Sequence, residues 1–412
     1  MRQTEVLPLN FDEAISFENL YKGLLKSQKN VMWKDSVAGY SLNGLKNTYK
    51  LRQDLLNGTY RISQYTSFKI KEPKERDVLA TRIRDRQFQH ALSDNVIYPS
   101  LTKTFIRDNC ACQKGRGTFD ALERLRKQLI KYAVKHKDNG WVLKADIHHF
   151  FPTTSHDVAC NNLSRYDMDI KSFEKVCDII RSFVEPQITK LLLGMGVAED
   201  KADRYAHTLM LEYVYGDYNK NVHKALTEEQ LKAVNELFTS EICGIGLGSQ
   251  VSQLTELALL SPLDHFIKEK LHIEVYERYM DDFVLVHESK DYLEYCLVEI
   301  EKFLEERKLS LNPKTDIFKL KQGFTLLKWR IFVTSTGKVI MRKSKKNISK
   351  QRAKMRKLKA MIDRGERTIE DARNNFQSWQ SGIHYFGCFN LVNKMRGYYY
   401  ELFGEVAPKW KD

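Results

Sequence analysis

Long hydrophobic runs are missing from this sequence. No segment approaches the ~18–20 consecutive apolar residues that an α-helix needs to cross a membrane, and Met1–Ala14 lacks the apolar centre of a secretory signal. We therefore expect a cytoplasmic protein without a membrane partner. The hydrophobic fraction of 42% is ordinary for a folded chain, so this absence argues against a membrane protein and leaves a globular one.

The cysteines lack the two-residue spacing of a zinc knuckle. There are seven of them, an odd number, and they are scattered along the chain. Cys110 and Cys112 stand one residue apart, so a strained metal site is one reading of that pair. We expect buried, reduced thiols instead, as in a cytosolic protein.

Negative charge is also scarce. The chain has 67 Lys and Arg against 53 Asp and Glu, which gives a formal net charge of +14. Such an excess suggests a polyanionic partner, either nucleic acid or an anionic membrane, and the missing membrane signals favour nucleic acid. Because 412 residues exceed the usual size of one domain, we expect two or three lobes.

Two adjacent carboxylates stand out in Tyr279-Met-Asp-Asp282, between the β-like runs Val275–Arg278 and Phe283–Val286. A hairpin would present both on rigid backbone, as suits a hard cation such as Mg²⁺ beside nucleotide phosphates. A second acidic strand is available, because Asp146 ends the apolar run that starts at Trp141. A charge there is unfavourable unless something coordinates it. A pair of solvated turns is the alternative.

Tyr-Met-Asp-Asp, with an upstream Asp followed by two aromatics, resembles the palm of a reverse transcriptase. The resemblance covers roughly residues 60–400 and implies an α+β right-hand polymerase fold with fingers, an antiparallel palm sheet and a helical thumb. We expect three parts with these boundaries: an N-terminal extension with the fingers in 1–140, the palm in 141–340 with a helical insertion about 190–240, and a basic thumb in 341–412.

The resemblance implies a site for two Mg²⁺ ions, with Mn²⁺ as a substitute. Asp146 and Asp281 would bridge both ions, Asp282 would be a weaker third carboxylate, and the backbone carbonyl of Ile147 would be a further ligand. Lys314, in Leu309-Ser-Leu-Asn-Pro-Lys314, would act as general acid or as a counter-charge to the pyrophosphate. A surface lysine in a turn is the competing view of that residue.

The incoming nucleotide would meet side chains from several motifs. Phe151 matches the aromatic that lies under the sugar and rejects a 2′-hydroxyl. Lys74 and Arg76 would clamp the triphosphate, with Arg82 and Arg84 in reserve. Gly248 would let the backbone approach the base pair closely, with the neighbouring polar side chains Ser252 and Gln253 hydrogen-bonding the pair or the template.

The segment Leu247-Gly-Ser-Gln-Val-Ser-Gln253 points to a subgroup. Intron-type reverse transcriptases usually carry Gln-Gly followed by Ser-Pro here, whereas this chain has Leu247 and the Ser-Gln step that ends at Gln253. The variant resembles reverse transcriptases of diversity-generating retroelements, in which it is associated with error-prone copying opposite template adenines. Taken alone, the segment is only a helix start.

The stretch Arg342–Lys359 holds ten Lys or Arg and no acid. Ile348, Met355, Leu358 and Ile362 fall near helical spacing and form an apolar seam, which leaves a cationic face. We expect a thumb helix that contacts template–primer phosphates without sequence preference. The predicted contact residues are Arg342, Lys343, Lys345, Lys346, Lys350, Arg352, Lys354 and Arg356.

The resemblance implies RNA-directed DNA polymerase activity, with dNTPs, an RNA template and a primer duplex as substrates. We expect the bacterial enzyme of a diversity-generating retroelement, with a structured non-coding RNA and a small accessory protein or a second copy of the chain as partners. A defence-associated reverse transcriptase that copies its own non-coding RNA is the alternative. A non-catalytic RNA-binding protein and a viral-type RNA-copying RNA polymerase are more distant rivals.

Overall fold

The computed structural model describes residues 7–71, 75–383 and 386–409. The chain forms two compact units. Unit 1 consists of Met1–Gln113, Asp146–Lys270 and Glu299–Pro313, and unit 2 of Lys114–Ala145, Leu271–Val298 and Lys314–Asp412.

Helices make up most of the chain. Short π-helical turns continue two of them, at Ser93–Ile97 and Phe266–Lys270, and a 3₁₀ turn spans Leu320–Gln322. The α-helices, in chain order, are α1 (Phe11–Ala14), α2 (Phe17–Gln28), α3 (Asp35–Leu42), α4 (Gly44–Leu56), α5 (Ile83–Leu92), α6 (Tyr98–Thr102), α7 (Thr118–His136), α8 (Phe150–Thr153), α9 (His156–Leu163), α10 (Ile170–Ser182), α11 (Glu185–Gly194), α12 (Glu199–Tyr215), α13 (Lys220–Ala225), α14 (Glu228–Thr239), α15 (Gln250–His265), α16 (Lys290–Glu305), α17 (Lys345–Asp363), α18 (Ile369–Ser381) and α19 (Phe389–Phe403).

The strands form three sheets in the described residues, with the orders β1-β2, β4-β5-β3-β6 and β7-β8-β9. All the strand pairs whose register is resolved are antiparallel. The strands are β1 (Thr66–Ile70), β2 (Arg76–Ala80), β3 (Trp141–Asp146), β4 (Val275–Tyr279), β5 (Asp282–His287), β6 (Asp316–Lys319), β7 (Phe324–Leu326), β8 (Trp329–Val333) and β9 (Val339–Lys343).

One core cluster of unit 2 gathers α7, the four-stranded sheet and the three-stranded sheet. Leu125 and Leu129 of α7 are fully buried with Val142 of β3, Val284 of β5 and Ile331 of β8. The α7 residues lie four apart, on one face of the helix, while the strand residues point to one side of their sheets. This packing gives the strands around Tyr279–Asp282 a rigid support.

In unit 1, helices α11 to α14 enclose a hydrophobic core of their own. Its members include Ile188, Leu192 and Met210, none of which is exposed. The polar stretch Gly216–Glu229 reads from its sequence as a loop, an expectation that is wrong in part because α13 begins after Asn219. The Asn219 side chain accepts hydrogen bonds from the first backbone amides of that helix, a cap that makes a short polar helix stable.

The run Phe324–Val333 reads from its sequence as one strand, and this expectation also needs correction. The structure divides the run into β7 and β8, which pair through Leu326 and Trp329. Leu327 and Lys328 form the two-residue turn with φ of +47° and +70°. Such a turn normally uses Gly or Asn, so the side chains gave no signal for it. The strand β6 was also missed, because Asp316–Lys319 is short and polar at both ends.

Long apolar helices are absent from the described residues. In those residues, none of the helices combines the length and the hydropathy that spanning a membrane requires.

Candidate active site

The hairpin β4–β5 carries the two adjacent carboxylates on a tight turn. Tyr279 pairs with Asp282, so Met280 and Asp281 alone form the loop. Met280 has φ of +60°, a left-handed conformation that is uncommon for a side chain of its size. The fully buried Arg278 donates from Nη1 to the Met280 carbonyl oxygen at 2.8 Å. A buried cation therefore fixes a strained turn, the kind of conformation that clusters at functional sites.

Lys144 of β3 pairs with one of these carboxylates. Its Nζ lies 2.8 Å from Oδ1 of Asp282, and both side chains are about 30% exposed (29% and 30%). The pair joins β3 to β5, which are neighbours in the sheet. It fixes the direction of the Asp282 side chain and supplies a positive charge next to it. Lys144 would therefore compete with a metal ion for Asp282, whose place as a third ligand stays a prediction.

Asp146 is the last residue of β3 and belongs to unit 1. Asn312 contacts it twice: its backbone amide donates to the Asp146 carbonyl oxygen at 2.7 Å, and its Nδ2 donates to Oδ2 at 3.3 Å. The next residue, Ile147, is 2% exposed and bridges Leu311. The segment ending at Asn312 therefore orients the carboxylate.

The donor set can be tested against a divalent ion by its chemistry. In the part of the chain that the structure describes, no group of three or more His, Cys, Asp and Glu side chains is arranged to hold a metal. Mg²⁺, however, is commonly bound by one or two carboxylates together with substrate phosphates and water, without a closed protein cage. Within unit 2, the partly exposed carboxylates of Asp281 and Asp282 on the β4–β5 turn fit that mode, and Asp146, which belongs to unit 1, stays a predicted ligand.

The glycine-rich segment before α15 lies against β2 in unit 1. The Leu79 amide donates to the Leu247 carbonyl oxygen at 3.0 Å. Gly248 has φ of +119°, and a Cβ there would come within 3.0 Å of the Leu79 carbonyl oxygen. The Ile245 amide donates to the Phe151 carbonyl oxygen at 2.8 Å. The backbone conformation and the close approach of Leu79 therefore require glycine at position 248. The half-buried Phe151 contacts the same segment through Ile245.

Other nucleotide-site predictions have different outcomes. Arg76 is exposed at the start of β2, whereas Lys74 lies outside the described residues. Ser252 is fully buried, so its predicted contact with a base pair is wrong in this conformation. The reserve residue Arg84 pairs with Asp54, with 2.9 Å between Nη2 and Oδ2, and its guanidinium lies 4.7 Å from the centre of the Tyr60 ring, which gives it a packing role.

Gln253 faces a cavity of about 500 Å³ that the sequence did not indicate. The Cys112 thiol donates to Gln253 Oε1 at 3.7 Å, and His90 Nδ1 lies 2.6 Å from Gln250 Oε1. Lys26 of α2 also lines this cavity. The cavity beside Gly248 is therefore lined by side chains from distant parts of the sequence, Lys26, His90 and Cys112, together with Gln250 and Gln253.

Most of the basic segment lies in α17, as predicted, whereas Arg342 and Lys343 end β9. Met355 is buried in a cluster against which Ile348 and Ile362 pack, so the apolar seam is present. Lys343 differs from the other cations: it lies half-buried, 4.5 Å from the centre of the Trp329 ring, and burial together with Lys328 lowers its pKa to about 8. The remaining predicted contacts are all exposed, Arg342 on β9 and, on α17, Lys345, Lys346, Lys350, Arg352, Lys354 and Arg356.

Two more expectations concern single side chains. Lys314 is exposed and precedes β6. The aromatic run Tyr398–Tyr400 suggests a contribution to the thumb core; Tyr399 is fully buried, but Tyr400 is 58% exposed and is not a core residue.

Comparison with known protein families decides the identity of the fold. Residues 70–388 match the family model described as reverse transcriptase (RNA-dependent DNA polymerase). The chain belongs to the reverse transcriptase family. Together with the antiparallel sheets, this confirms the predicted α+β polymerase fold. The domain boundaries and the assignments of single site residues stay predictions.

Solved structures similar to this reverse transcriptase include two yeast telomerases. The telomerase from Candida albicans, in complex with the TWJ fragment of telomeric RNA, is 10% identical, with a TM-score of 0.41 over 88% of this chain and 65% of its own. The apo telomerase from Candida tropicalis is 12% identical, with a TM-score of 0.39 over 84% of this chain and 63% of its own. The chain thus spans less than two thirds of either. No curated protein sequence matches it.

Within this reverse transcriptase, sequence reasoning missed three residues that position the carboxylates: Lys144, Arg278 and Asn312. Two of them stood within motifs already singled out, since Lys144 precedes Asp146 by two residues and Asn312 precedes Lys314 by two. The third residue, Arg278, stands directly before Tyr279. A charge inside an apolar strand run was the available signal for Lys144 and Arg278.

Proposed function

We propose that this chain extends a primer with dNTPs on an RNA template by two-metal nucleotidyl transfer. The observation that carries the proposal is the strained β4–β5 turn with Asp281 and Asp282, in a sheet where the neighbouring strand β3 ends in Asp146. Membership of the reverse transcriptase family supports it. The family uses divalent metal ions, which agrees with the predicted Mg²⁺ or Mn²⁺.

Asp146 and Asp281 are the proposed ligands that bridge both ions, with Asp282 and the Ile147 carbonyl as further ligands. When bound, the ions activate the primer 3′-hydroxyl and neutralise charge on the leaving pyrophosphate. The protein's own contribution is orientation. Asn312 directs the Asp146 carboxylate, and Lys144 directs Asp282.

The triphosphate and the sugar require further groups. Arg76, with Lys74, is proposed to contact the triphosphate, since guanidinium groups bind phosphate oxygens in pairs. Lys314 is proposed to protonate the leaving pyrophosphate or balance its charge. The ring of Phe151 would occupy the space of a ribose 2′-hydroxyl and so favour dNTPs over NTPs.

For the biological role, we propose the mutagenic polymerase of a diversity-generating retroelement in a bacterial cytoplasm. Leu247 and Gln253 support this subtype, because they replace the residues usual in intron-type enzymes. A structured non-coding RNA and a small accessory protein, or a second copy of the chain, are the proposed partners. Sequencing of a template repeat and a variable repeat near the gene would test this role. Substitutions at template adenines that pass only from the template repeat to the variable repeat would support it.

A defence-associated reverse transcriptase remains the second candidate. The helices α11 to α14 favour it, because their separate hydrophobic core makes this insertion a folded module that is available to contact a partner. Protection of a bacterial host from phage by the intact gene, lost with Asp281→Ala, would support this role. Unchanged phage sensitivity would favour the retroelement.

Extension of oligo(dT) on poly(rA) with Mg²⁺ tests the enzymatic proposal. We expect the wild-type chain to incorporate dTTP and to discriminate against UTP. Absence of dTTP incorporation would favour the non-catalytic RNA-binding protein, and efficient UTP incorporation would favour an RNA-copying RNA polymerase. Phe151→Ala serves as an internal control, because it should increase UTP use without abolishing dTTP use.

A further inference from the structure

A cavity of about 930 Å³ in unit 2 lies along strand β9. One wall is formed by Lys338–Lys343, and the opposite walls come from α7, the start of α17 and the start of α19. This cavity is separate from the β4–β5 turn, whose residues do not line it. A ligand in this cavity would therefore not contact the carboxylates of the proposed active site.

The lining shows that the cavity follows the hydrogen-bonding edge of β9. Side chains of a strand alternate between the two faces of the sheet, so a cavity above one face would be lined by every second residue. Here every residue from Lys338 to Lys343 lines it. In the three-stranded sheet β9 has one neighbour, β8, in the described residues, which leaves its other side toward the cavity.

The pairing with β8 identifies which backbone groups point outward. The Thr334 amide donates to the Lys338 carbonyl, and the Ser344 amide donates to the Lys328 carbonyl. Antiparallel pairs alternate between bonded and non-bonded positions, so the odd-numbered residues of β9 direct their N–H and C=O groups away from β8. The Lys343 backbone on this outward side lies beside the Cys388 thiol, and it opposes the larger effect of burial, which raises the pKa of that thiol. Among the described residues, Val339 and Met341 also line the cavity, so their outward backbone groups are placed to pair with another strand.

Charge and shape select the ligand. Arg126, Lys338, Arg342, Lys343 and Lys345 line the cavity, against one carboxylate, Glu123. Val339, Met341, Ile348 and Leu391 supply apolar surface between these cations. The Phe386 ring packs on Trp329 and Phe119, with centroid distances of 4.8 and 5.5 Å, so it is not an open platform for base stacking. Arg342, Lys343 and Lys345 were predicted from the sequence to contact template–primer phosphates, but the lining of this cavity matches an acidic peptide better than a nucleic acid.

We propose that this cavity binds an extended acidic segment of a partner protein, which adds to β9 as a fourth strand. Backbone groups of Val339 and Met341 would pair with the segment, the cations would meet its carboxylates, and alternate aliphatic side chains would cover the apolar surface. Lysines on an edge strand also discourage pairing with identical strands, so the same charges select an acidic partner over another copy of β9.

The test uses a fluorescent eight-residue peptide of alternating Glu and Val, and the purified full chain. Fluorescence anisotropy should show saturable binding, and a peptide N-methylated on alternate residues should bind at least tenfold more weakly, because it lacks the donors that pair with β9. Equal binding of the two peptides would overturn the proposal. Both measurements use the wild-type chain, so they do not depend on the folding of a variant.

Two matched pairs of variants locate the site. Val339→Pro removes one outward N–H donor of β9 without breaking the pairing with β8 and should weaken binding of the unmethylated peptide at least fivefold, whereas Val339→Thr should retain the wild-type affinity. Lys338→Glu should weaken binding at least fivefold, whereas Lys357→Glu, an exposed position on α17 outside the cavity, should leave it unchanged. Equal effects of the two charge reversals would contradict a site at β9.

Single-stranded RNA is the competing ligand. Oligo(U) at the same charge concentration should displace the peptide no better than the N-methylated peptide does. Preferential displacement by RNA would show a nucleic-acid groove and overturn the proposal. Peptide binding and dTTP incorporation are separate measurements. Failure of the polymerase assay would therefore not decide whether a peptide adds to β9.

Discussion

The β4–β5 turn and helix α17 both carry dense charge, but they hold it in opposite ways. At the turn, Arg278 is fully buried, Met280 is in a left-handed conformation, and Lys144 fixes Asp282. On α17, most cations are exposed, and only Gln351 and Met355 are buried among its residues. Buried neighbours fix the conformation of the turn. The helix, in contrast, offers many exposed cations, none of which is held in one position.

The difference teaches which kind of function each region supports. Chemistry on a phosphate requires groups held within fractions of an ångström, and only the turn provides such support. Exposed ion contacts contribute ~0.2–1 kcal/mol each, and contacts to phosphates add up through released counterions. Substitutions at the turn should therefore have single, large effects, and those on α17 should have small, cumulative ones.

The largest effect is expected for Asp281→Asn. The amide retains the size of the side chain and loses the charge, so dTTP incorporation on poly(rA)/oligo(dT) should fall by roughly 10³-fold or more. Template–primer affinity, measured by anisotropy, should stay within about twofold. Wild-type rates in this variant would refute the metal assignment.

Next in size is the double substitution Lys346→Gln with Lys354→Gln. Both lysines are exposed on α17. If each meets a phosphate, the slope of log affinity against log salt should decrease by about 2 in magnitude, which reduces binding roughly tenfold at low salt. Lys201→Gln, on an exposed face of α12, is the control. An unchanged slope would remove α17 from the nucleic-acid surface.

A smaller effect separates the two roles of Lys144. Its ammonium group competes with a metal ion for Asp282, so Lys144→Met should lower the Mg²⁺ concentration for half-maximal activity about fivefold. Lys144→Arg keeps the charge and should leave that concentration close to the wild-type value. A higher Mg²⁺ requirement in the Met variant would show that Lys144 supports the site mainly through position.

The smallest effect is expected at Leu247. Its backbone carbonyl is already bonded to Leu79, so Leu247→Gln changes the side chain without breaking that contact. Misincorporation opposite template adenine should fall about threefold, while Leu247→Met should retain the wild-type error spectrum. Sequencing of cDNA products gives the comparison, and identical spectra for all three chains would remove the mutagenic interpretation.

The sequence predicted the local parts of this molecule better than the contacts between them. β3, β4 and β5 were recognisable because apolar runs ended at charged residues, and α17 because its seam repeats at helical spacing. Asn312 and Lys144 could not be assigned, since their partners depend on which strands and loops become neighbours. The turn at Leu327-Lys328 was missed because tertiary packing, and not glycine, imposes its left-handed backbone.

The central claim is that Asp146 and the turn at Asp281 hold the same divalent ions. Replacing Mg²⁺ with Fe²⁺ and adding peroxide and ascorbate cleaves backbone next to bound iron, so the fragment ends report the site directly. We predict cleavage near both Asp146 and Tyr279–Asp282 in the wild-type chain, and loss of both sets of fragments together in Asp281→Asn. Cleavage at one of the two segments alone, or fragments near Asp146 that persist in the variant, would contradict the account.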